Sequence, residues 1–138
     1  MTHRFNLFLV ALVSFGLLVG IWLGAVMGAF YRSQLALLAR MSGDRMAPLW
    51  TPALLVYVLL AAGLVMFVIP RAAAPVPAPL LRGALFGLVV YGVYDLTNLS
   101  TLKGWPVLLT GVDIVWGAAA SASATWIVTV FDRWLRSP

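Results

Sequence analysis

Two aspartates, Asp95 and Asp113, lie at equal distances along the chain from a Lys-Gly-Trp-Pro turn. With Gly104 as the apex of the turn, Asp95 precedes it by nine residues and Asp113 follows it by nine. Glycine commonly ends helices and proline commonly starts them, so the turn predicts a tight antiparallel helical hairpin. At a rise of about 1.5 Å per residue, both carboxyl groups then lie roughly 13 Å from the turn, at one depth. Such a pair could bind a proton, a cation or the polar head of a ligand.

Other polar residues share helical faces with the two acids. Tyr91 and Asn98 follow helical spacing around Asp95, and Thr110 lies at the same depth as Asn98 on the opposite arm of the hairpin. Two carboxyl groups in a poorly solvated site cannot both ionise cheaply, so at least one is expected to keep its proton at pH 7. The predicted proton- or ligand-binding residues are Asp95, Asp113, Asn98, Tyr91 and Thr110. The structural alternative is a satisfied network that holds the two helices together.

Lys103, Trp105 and Trp116 are predicted to contact lipid head groups or to form the rim of this site. Lys103 lies in the turn, from which its long side chain can reach the membrane surface. Tryptophan is enriched where membrane meets water. Trp22 from the first hydrophobic run is expected to join this rim.

Membrane helices are the elements that must position these residues. Of the 138 residues, 63% are hydrophobic and only 9% are charged, and the mean hydropathy is +1.02. That composition leaves too few charges for the shell of a soluble domain. A bilayer core about 30 Å thick requires roughly 20 apolar residues per helix. The uncharged runs predict a single all-α membrane domain over residues 1–138, a bundle of four transmembrane helices at about 5–30, 52–69, 81–102 and 105–131.

Two connecting segments have their own signals. The segment after the first helix, from Arg32 to Met41, sets leucines against arginines and is predicted to continue the helix along the membrane interface. The segment Arg71–Arg82 has three prolines at alternate positions. It is predicted to be extended and outside the membrane.

Small residues mark the faces on which helices are expected to pack. Gly16, Gly20, Gly24 and Gly28 recur at a spacing of four in the first helix. Such a stripe lets a second backbone approach closely, either within the chain or from another copy. The expected partners are therefore membrane lipid and, through the first helix, a homodimer or a larger membrane complex. Comparable edges are formed in the third and fourth helices by Gly83, Gly87, Gly117, Ala120, Ser121 and Ala124.

Several function classes are excluded by composition. The chain has no cysteine, which rules out disulfides, thiol catalysis and cysteine-based metal sites. Its single histidine, His3, is expected at a mobile N-terminus, so neither a metal site nor a cofactor is predicted. The net charge of +5 does not indicate nucleic acid, because the basic residues are found singly at helix ends, where they meet lipid head groups.

The stretch from Gly87 to Gly117 resembles the DUF2177 family of predicted membrane proteins. The motifs are Tyr-Asp-Leu-Thr-Asn at 94–98, Leu-Lys-Gly-Trp-Pro at 102–106, and Asp113 with Trp116 and Gly117. A weaker match covers 21–24 and 30–32 in the first helix. The resemblance implies a small four-helix protein of the bacterial inner membrane and implies no reaction. Many members carry an aspartate three residues before the tryptophan that corresponds to Trp22, whereas this chain has Val19.

These observations favour an accessory or binding protein that holds a lipid or small ligand at a buried Asp/Asn site. One alternative is a small proton-coupled transporter acting as a dimer, with the aspartate pair as its switch. Another is a structural subunit of a membrane complex that docks through the glycine stripe. A membrane enzyme that uses the two carboxyl groups as general acid and base also stays open.

Overall fold

The protein is a bundle of membrane-length helices, seen in a computed structural model that describes residues 2–43, 45–70 and 77–137. The described residues form α1 (Thr2–Ile21), α2 (Gly28–Gln34), α3 (Trp50–Gly63), α4 (Pro77–Thr101) and α5 (Val107–Arg136), with a two-stranded hairpin of β1 (Met41–Ser42) and β2 (Arg45–Met46). π-helical turns extend α1 over Trp22–Val26 and α3 over Leu64–Val68. Within these described ranges, four segments are long and apolar enough to cross a membrane: Thr2–Val26, Trp50–Val68, Pro77–Thr101 and Val107–Arg136. The prediction of an all-α bundle of four transmembrane helices is confirmed.

Helices α4 and α5 form the predicted antiparallel hairpin. Gly104 takes a positive φ of 87°, which glycine adopts without steric cost, and α5 starts directly after Pro106. The two helices pack at glycines: a Cβ on Gly87 would collide with the Gly117 carbonyl oxygen, and one on Gly83 would collide with Thr125. Close backbone approach therefore fixes α4 against α5.

The hydrophobic core occupies the half of the bundle that carries both termini. Leu7 and Phe15 of α1 are fully buried there, and they pack with Leu64 from the second span and Val128 from α5. Many other large apolar side chains face outward along all four spans, as lipid contact requires. The opposite half of the bundle, towards Gly104, holds the two predicted acids.

The first span is not the single helix predicted over residues 5–30. After the π-helical turn, Met27 leaves helical geometry with φ −119° and ψ 7°, and α2 starts in a new direction. A Cβ on Gly28 would collide with the Leu23 carbonyl oxygen, so the bend requires glycine at this position. Gly28 therefore does not form part of an open packing face with the other three glycines. Nothing lies within 4 Å of a Cβ on Gly16, Gly20 or Gly24.

The connections also differ from their predictions. α2 ends at Gln34, and the chain continues through a turn into the β1–β2 hairpin, so no helix extends to Met41. We call residues 28–43 and 45–49 the crossover segment. Residues 77–82 are helical and not extended, because prolines in a first helical turn need no backbone N–H. The rest of the proline-rich segment, 71–76, lies outside the described residues.

The N-terminus is tied to the last helix. His3 lies within α1, and its Nε2 is 2.7 Å from the Asp132 carboxylate. The same carboxylate accepts bonds of 3.0 and 3.1 Å from the Arg136 Nε. The prediction of a mobile His3 is therefore wrong, since a charged group of α5, remote in sequence, holds it.

Candidate functional site

Asp95 is the most unusual polar residue of the bundle. It lies on α4 with a relative exposure of 0%, and neither carboxyl oxygen has a hydrogen-bond partner among the described residues. Buried polar groups in proteins are nearly always paired, and an unpaired one costs about 1–3 kcal/mol. α4 can hold the group in this position because the glycine contacts with α5 fix the helix.

Asp113 of α5 is held by an aromatic relay from the first span. The Tyr31 hydroxyl of α2 donates a hydrogen bond to Asp113 Oδ1. The Trp22 indole N–H donates in turn to the Tyr31 oxygen at 3.1 Å. Burial, followed by the hydrogen bond to Asp113, raises the pKa of the Tyr31 phenol, so this hydroxyl stays protonated and acts as the donor. The bend at Met27 is what brings Tyr31 back across the bundle to Asp113.

The two acids lie within electrostatic reach of each other, although no hydrogen bond joins them. Tyr91 lies near both acids. Its ring packs on Gly117, and its phenol interacts electrostatically with Asp113 and Asp95. Three of the five predicted ligand-binding residues, Asp95, Asp113 and Tyr91, are thus brought together around the α4–α5 packing face.

Asn98 and Thr110 are not paired with each other. Thr110 accepts from the Trp105 indole N–H at 3.1 Å and donates to the Pro106 carbonyl at 3.3 Å, so it serves the turn. Asn98 is half-buried and interacts with Tyr94, one helical turn earlier. The structural alternative, one satisfied network that joins the two arms of the hairpin, is therefore not formed as a whole among the described residues.

The predicted rim residues have separate positions. Trp116 stacks on Trp22 with ring centroids 4.1 Å apart and planes 3° from parallel. Trp105 covers the turn, and its indole N–H donates to Thr110 and not to Asp95. Lys103 is exposed in the turn.

An apolar groove of about 790 Å³ adjoins the Trp22–Trp116 stack. Both rings line it, together with residues of α5 such as Val112 and Val115. Tyr31 and Asp113 are not among its lining residues, whereas Trp22 contacts both the groove and the Tyr31 hydroxyl. Trp22 therefore contacts the apolar groove on one side and, through the Tyr31 hydroxyl, is connected to the half-buried Asp113 on the other.

Sequence reasoning missed Tyr31 and Asp132. Tyr31 is 82 residues from Asp113 along the chain, and only the π-helical turn and bend bring them together. Its signals in the sequence are its place in the family resemblance at 30–32 and its position at the end of the first hydrophobic run. Asp132 was overlooked because an acid in the last turns of a terminal helix normally contacts water.

The four membrane-length helices define a polytopic α-helical membrane protein, and it carries one fully buried acid, Asp95, within the bundle. The family model described as "Predicted membrane protein (DUF2177)" matches residues 4–130, and the chain belongs to that family. No curated protein matches the chain, and no solved structure does. Val19, where the resemblance leads one to expect an aspartate, is buried in α1.

Proposed function

We propose that this protein binds an amphiphile, a lipid or a small apolar molecule, whose head group donates hydrogen bonds to Asp95. The observation that carries the proposal is a carboxyl group with no exposed surface and no hydrogen-bond partner among the described residues. A hydroxyl or amine from a ligand would supply the donors that the neighbouring side chains do not.

The surroundings of Asp95 support a head group that carries hydrogen-bond donors. Asp113 adds a second acid, and its Oδ1 already accepts from Tyr31. Two acids close together repel a purely anionic group and attract an ammonium or a hydroxyl. The Tyr91 ring beside them offers an aromatic face, which a cation also favours.

The apolar groove supports the other half of the ligand. It is about 790 Å³, and its walls are aliphatic and aromatic. Pockets that hold amphiphiles are mostly apolar, with few polar groups. An acyl chain in this groove would contact the Trp22–Trp116 stack, whose inner side leads through Tyr31 to Asp113.

Native mass spectrometry of the detergent-solubilised protein tests the proposal. We expect the wild type to retain a defined amphiphile that Asp95→Asn, which keeps the side chain's shape, loses. Asp132→Asn is the matched control, because it changes a buried acid of the terminal cluster and should keep the amphiphile. Equal retention by all three proteins would refute the proposal.

Proton-coupled transport is the second candidate, and the electrostatic contact between the two acids favours it. In that case a bound substrate would displace a proton from the pair, and the working unit would be a dimer. Proton release on addition of substrate, measured in weakly buffered detergent solution, should then depend on Asp95. Its persistence in Asp95→Asn would exclude this mechanism.

For assembly, we propose that the first helix meets a second copy or another membrane protein through Gly16, Gly20 and Gly24. These positions are open within one chain, so a backbone could approach closely there. If the protein is a structural subunit of a membrane complex, contact through this helix face would be sufficient for its role. We propose that this membrane is the bacterial inner membrane; the four candidate spans and the family match support a multi-pass membrane protein.

A further inference from the structure

A second cavity, of about 260 Å³, lies between the crossover segment and the α4–α5 hairpin, and we call it the Arg40 cleft. The residues that line it include Leu35, Leu38, Arg40 and Met46 from the crossover segment and Tyr94 and Trp105 from the hairpin. Pockets that enclose a whole drug-sized molecule are about 300–1,000 Å³. The Arg40 cleft therefore suits the head group of a lipid and not the whole lipid.

Arg40 is the charged residue among those that line the cleft, and its charge is unmatched there. It is exposed, and no described residue forms a hydrogen bond or an ion pair with its guanidinium. No described acid lines the cleft. A guanidinium binds phosphate through paired hydrogen bonds. The cleft is therefore suited to an anion that carries a phosphate.

The surroundings of the cleft favour a head group with net negative charge. Two exposed cations flank it, because Arg45 precedes Met46 and Lys103 lies two residues before Trp105. The rings of Tyr94 and Trp105 meet edge to face, with centroids 6.0 Å apart. Such a pair does not enclose a cation on several sides, as the aromatic cages for quaternary ammonium do. A choline group would thus meet two cations and no cage.

The position of the cleft favours a lipid as the source of the phosphate. The α4–α5 turn joins two membrane-length helices, so the cleft lies where the bundle reaches the membrane surface. On the crossover segment Leu37 is fully exposed, and Trp50, directly after it, is 71% exposed. Exposed leucine and tryptophan beside cations are typical of a segment in the membrane interface. The acyl chains of a lipid would stay in the bilayer beside these side chains.

We propose that the Arg40 cleft binds the head group of an anionic phospholipid, with its phosphate paired to the Arg40 guanidinium. This site is separate from Asp95, which does not line the cleft, and the inference does not rest on the proposed function. A lipid held there would join the crossover segment to the hairpin, because both line the cleft.

Native mass spectrometry of the full-length protein, titrated with phosphatidylglycerol and phosphatidylcholine of identical acyl chains, tests the inference. The wild type should bind phosphatidylglycerol about tenfold more tightly than phosphatidylcholine. Arg40→Gln should abolish this preference. Arg45→Gln is the matched control and should keep most of it, because it removes the same charge from the same segment but at a position that does not line the cleft.

Three results would overturn the inference. The first is equal affinity of the wild type for the two lipids, which requires no variant. The second is an equal loss in Arg40→Gln and Arg45→Gln, because general surface charge would then explain the binding. The third is displacement of phosphatidylglycerol by an equal concentration of glycerol phosphate, because the site would then serve a soluble phosphate ester.

The two proposals can fail separately. Asp95→Asn should keep the preference for phosphatidylglycerol, and its loss in that variant would contradict a site separate from Asp95. Arg40→Gln should keep the amphiphile that depends on Asp95. Loss of the phosphatidylglycerol preference in Arg40→Gln alone therefore supports this inference, whether or not the proposed function holds.

Discussion

Replacing Gly87 with alanine is expected to destabilise the α4–α5 hairpin and to displace the acid site. The added methyl would collide with the Gly117 carbonyl oxygen and lie 2.6 Å from both the Gly117 carbonyl carbon and Ser121 Oγ. Carbon atoms pack best at about 3.5–4.0 Å, so the two helices must separate by about 1 Å. Overpacking of this kind costs about 1–3 kcal/mol. A gain in helix propensity of up to about 1 kcal/mol offsets part of it.

Gly92→Ala is the matched control for this substitution. Gly92 is also a buried glycine of α4, but nothing lies within 4 Å of a Cβ placed there. Its alanine variant should be as stable as the wild type or slightly more stable, because alanine favours the helix. The two variants thus carry the same substitution in the same helix, and they differ in how closely α5 approaches the substituted position.

Equilibrium unfolding in mixed micelles, with increasing dodecyl sulfate and far-UV circular dichroism as the signal, measures the difference. We expect a free energy of unfolding about 1–2 kcal/mol lower for Gly87→Ala than for the wild type. The ligand that depends on Asp95 should be lost in the same variant, because Asp95 lies two helical turns along α4. If Gly87→Ala and Gly92→Ala unfold alike, close backbone contact does not hold this hairpin, and the reasoning fails.

Three further predictions concern other contacts. Tyr31→Phe leaves Asp113 without its donor and should cost about 1–3 kcal/mol in the same unfolding assay; an unchanged midpoint would contradict the relay. Asp132→Asn should cost only about 1 kcal/mol, because the ion pairs at this end are partly exposed to water, and higher salt should shrink the difference. Gly20→Leu should lower the oligomer mass in light scattering without unfolding the chain, whereas Gly111→Leu, an open glycine of α5, should not.

The bundle could be predicted from the sequence because a bilayer imposes simple rules. Long uncharged runs must be helices in lipid, and the Lys-Gly-Trp-Pro turn leaves its two arms antiparallel. The equal spacing of Asp95 and Asp113 from Gly104 predicts one depth for both acids, and in the structure the two lie within electrostatic reach of each other. These inferences depended on local chemistry and on counting residues.

The crossover segment could not be predicted in the same way. A π-helical turn differs from an α-helical one by a single residue per turn, and Trp22–Val26 carries no sequence signal for it. The partner of Asp113 depends on that geometry, because Tyr31 reaches it only after the bend at Met27. Asn98 and Thr110, which the residue count puts at one depth, each interact with a residue of their own helix or turn, Tyr94 and Trp105 respectively.

Asp132 shows what a structural acid looks like in this protein, and Asp95 differs from it. Asp132 is buried to 8% exposure and is held by His3 on one side and by Arg136 on the other, so its charge is matched and its oxygens are bonded. Asp95 is more deeply buried, yet no described residue bonds its oxygens. A buried acid that only holds helices together stabilises the fold when it has bonded partners, as Asp132 has. Where such an acid has no partners, an apolar residue in its place would be at least as stable. The contrast between two aspartates of one bundle therefore favours a ligand-binding role for Asp95 over a structural one.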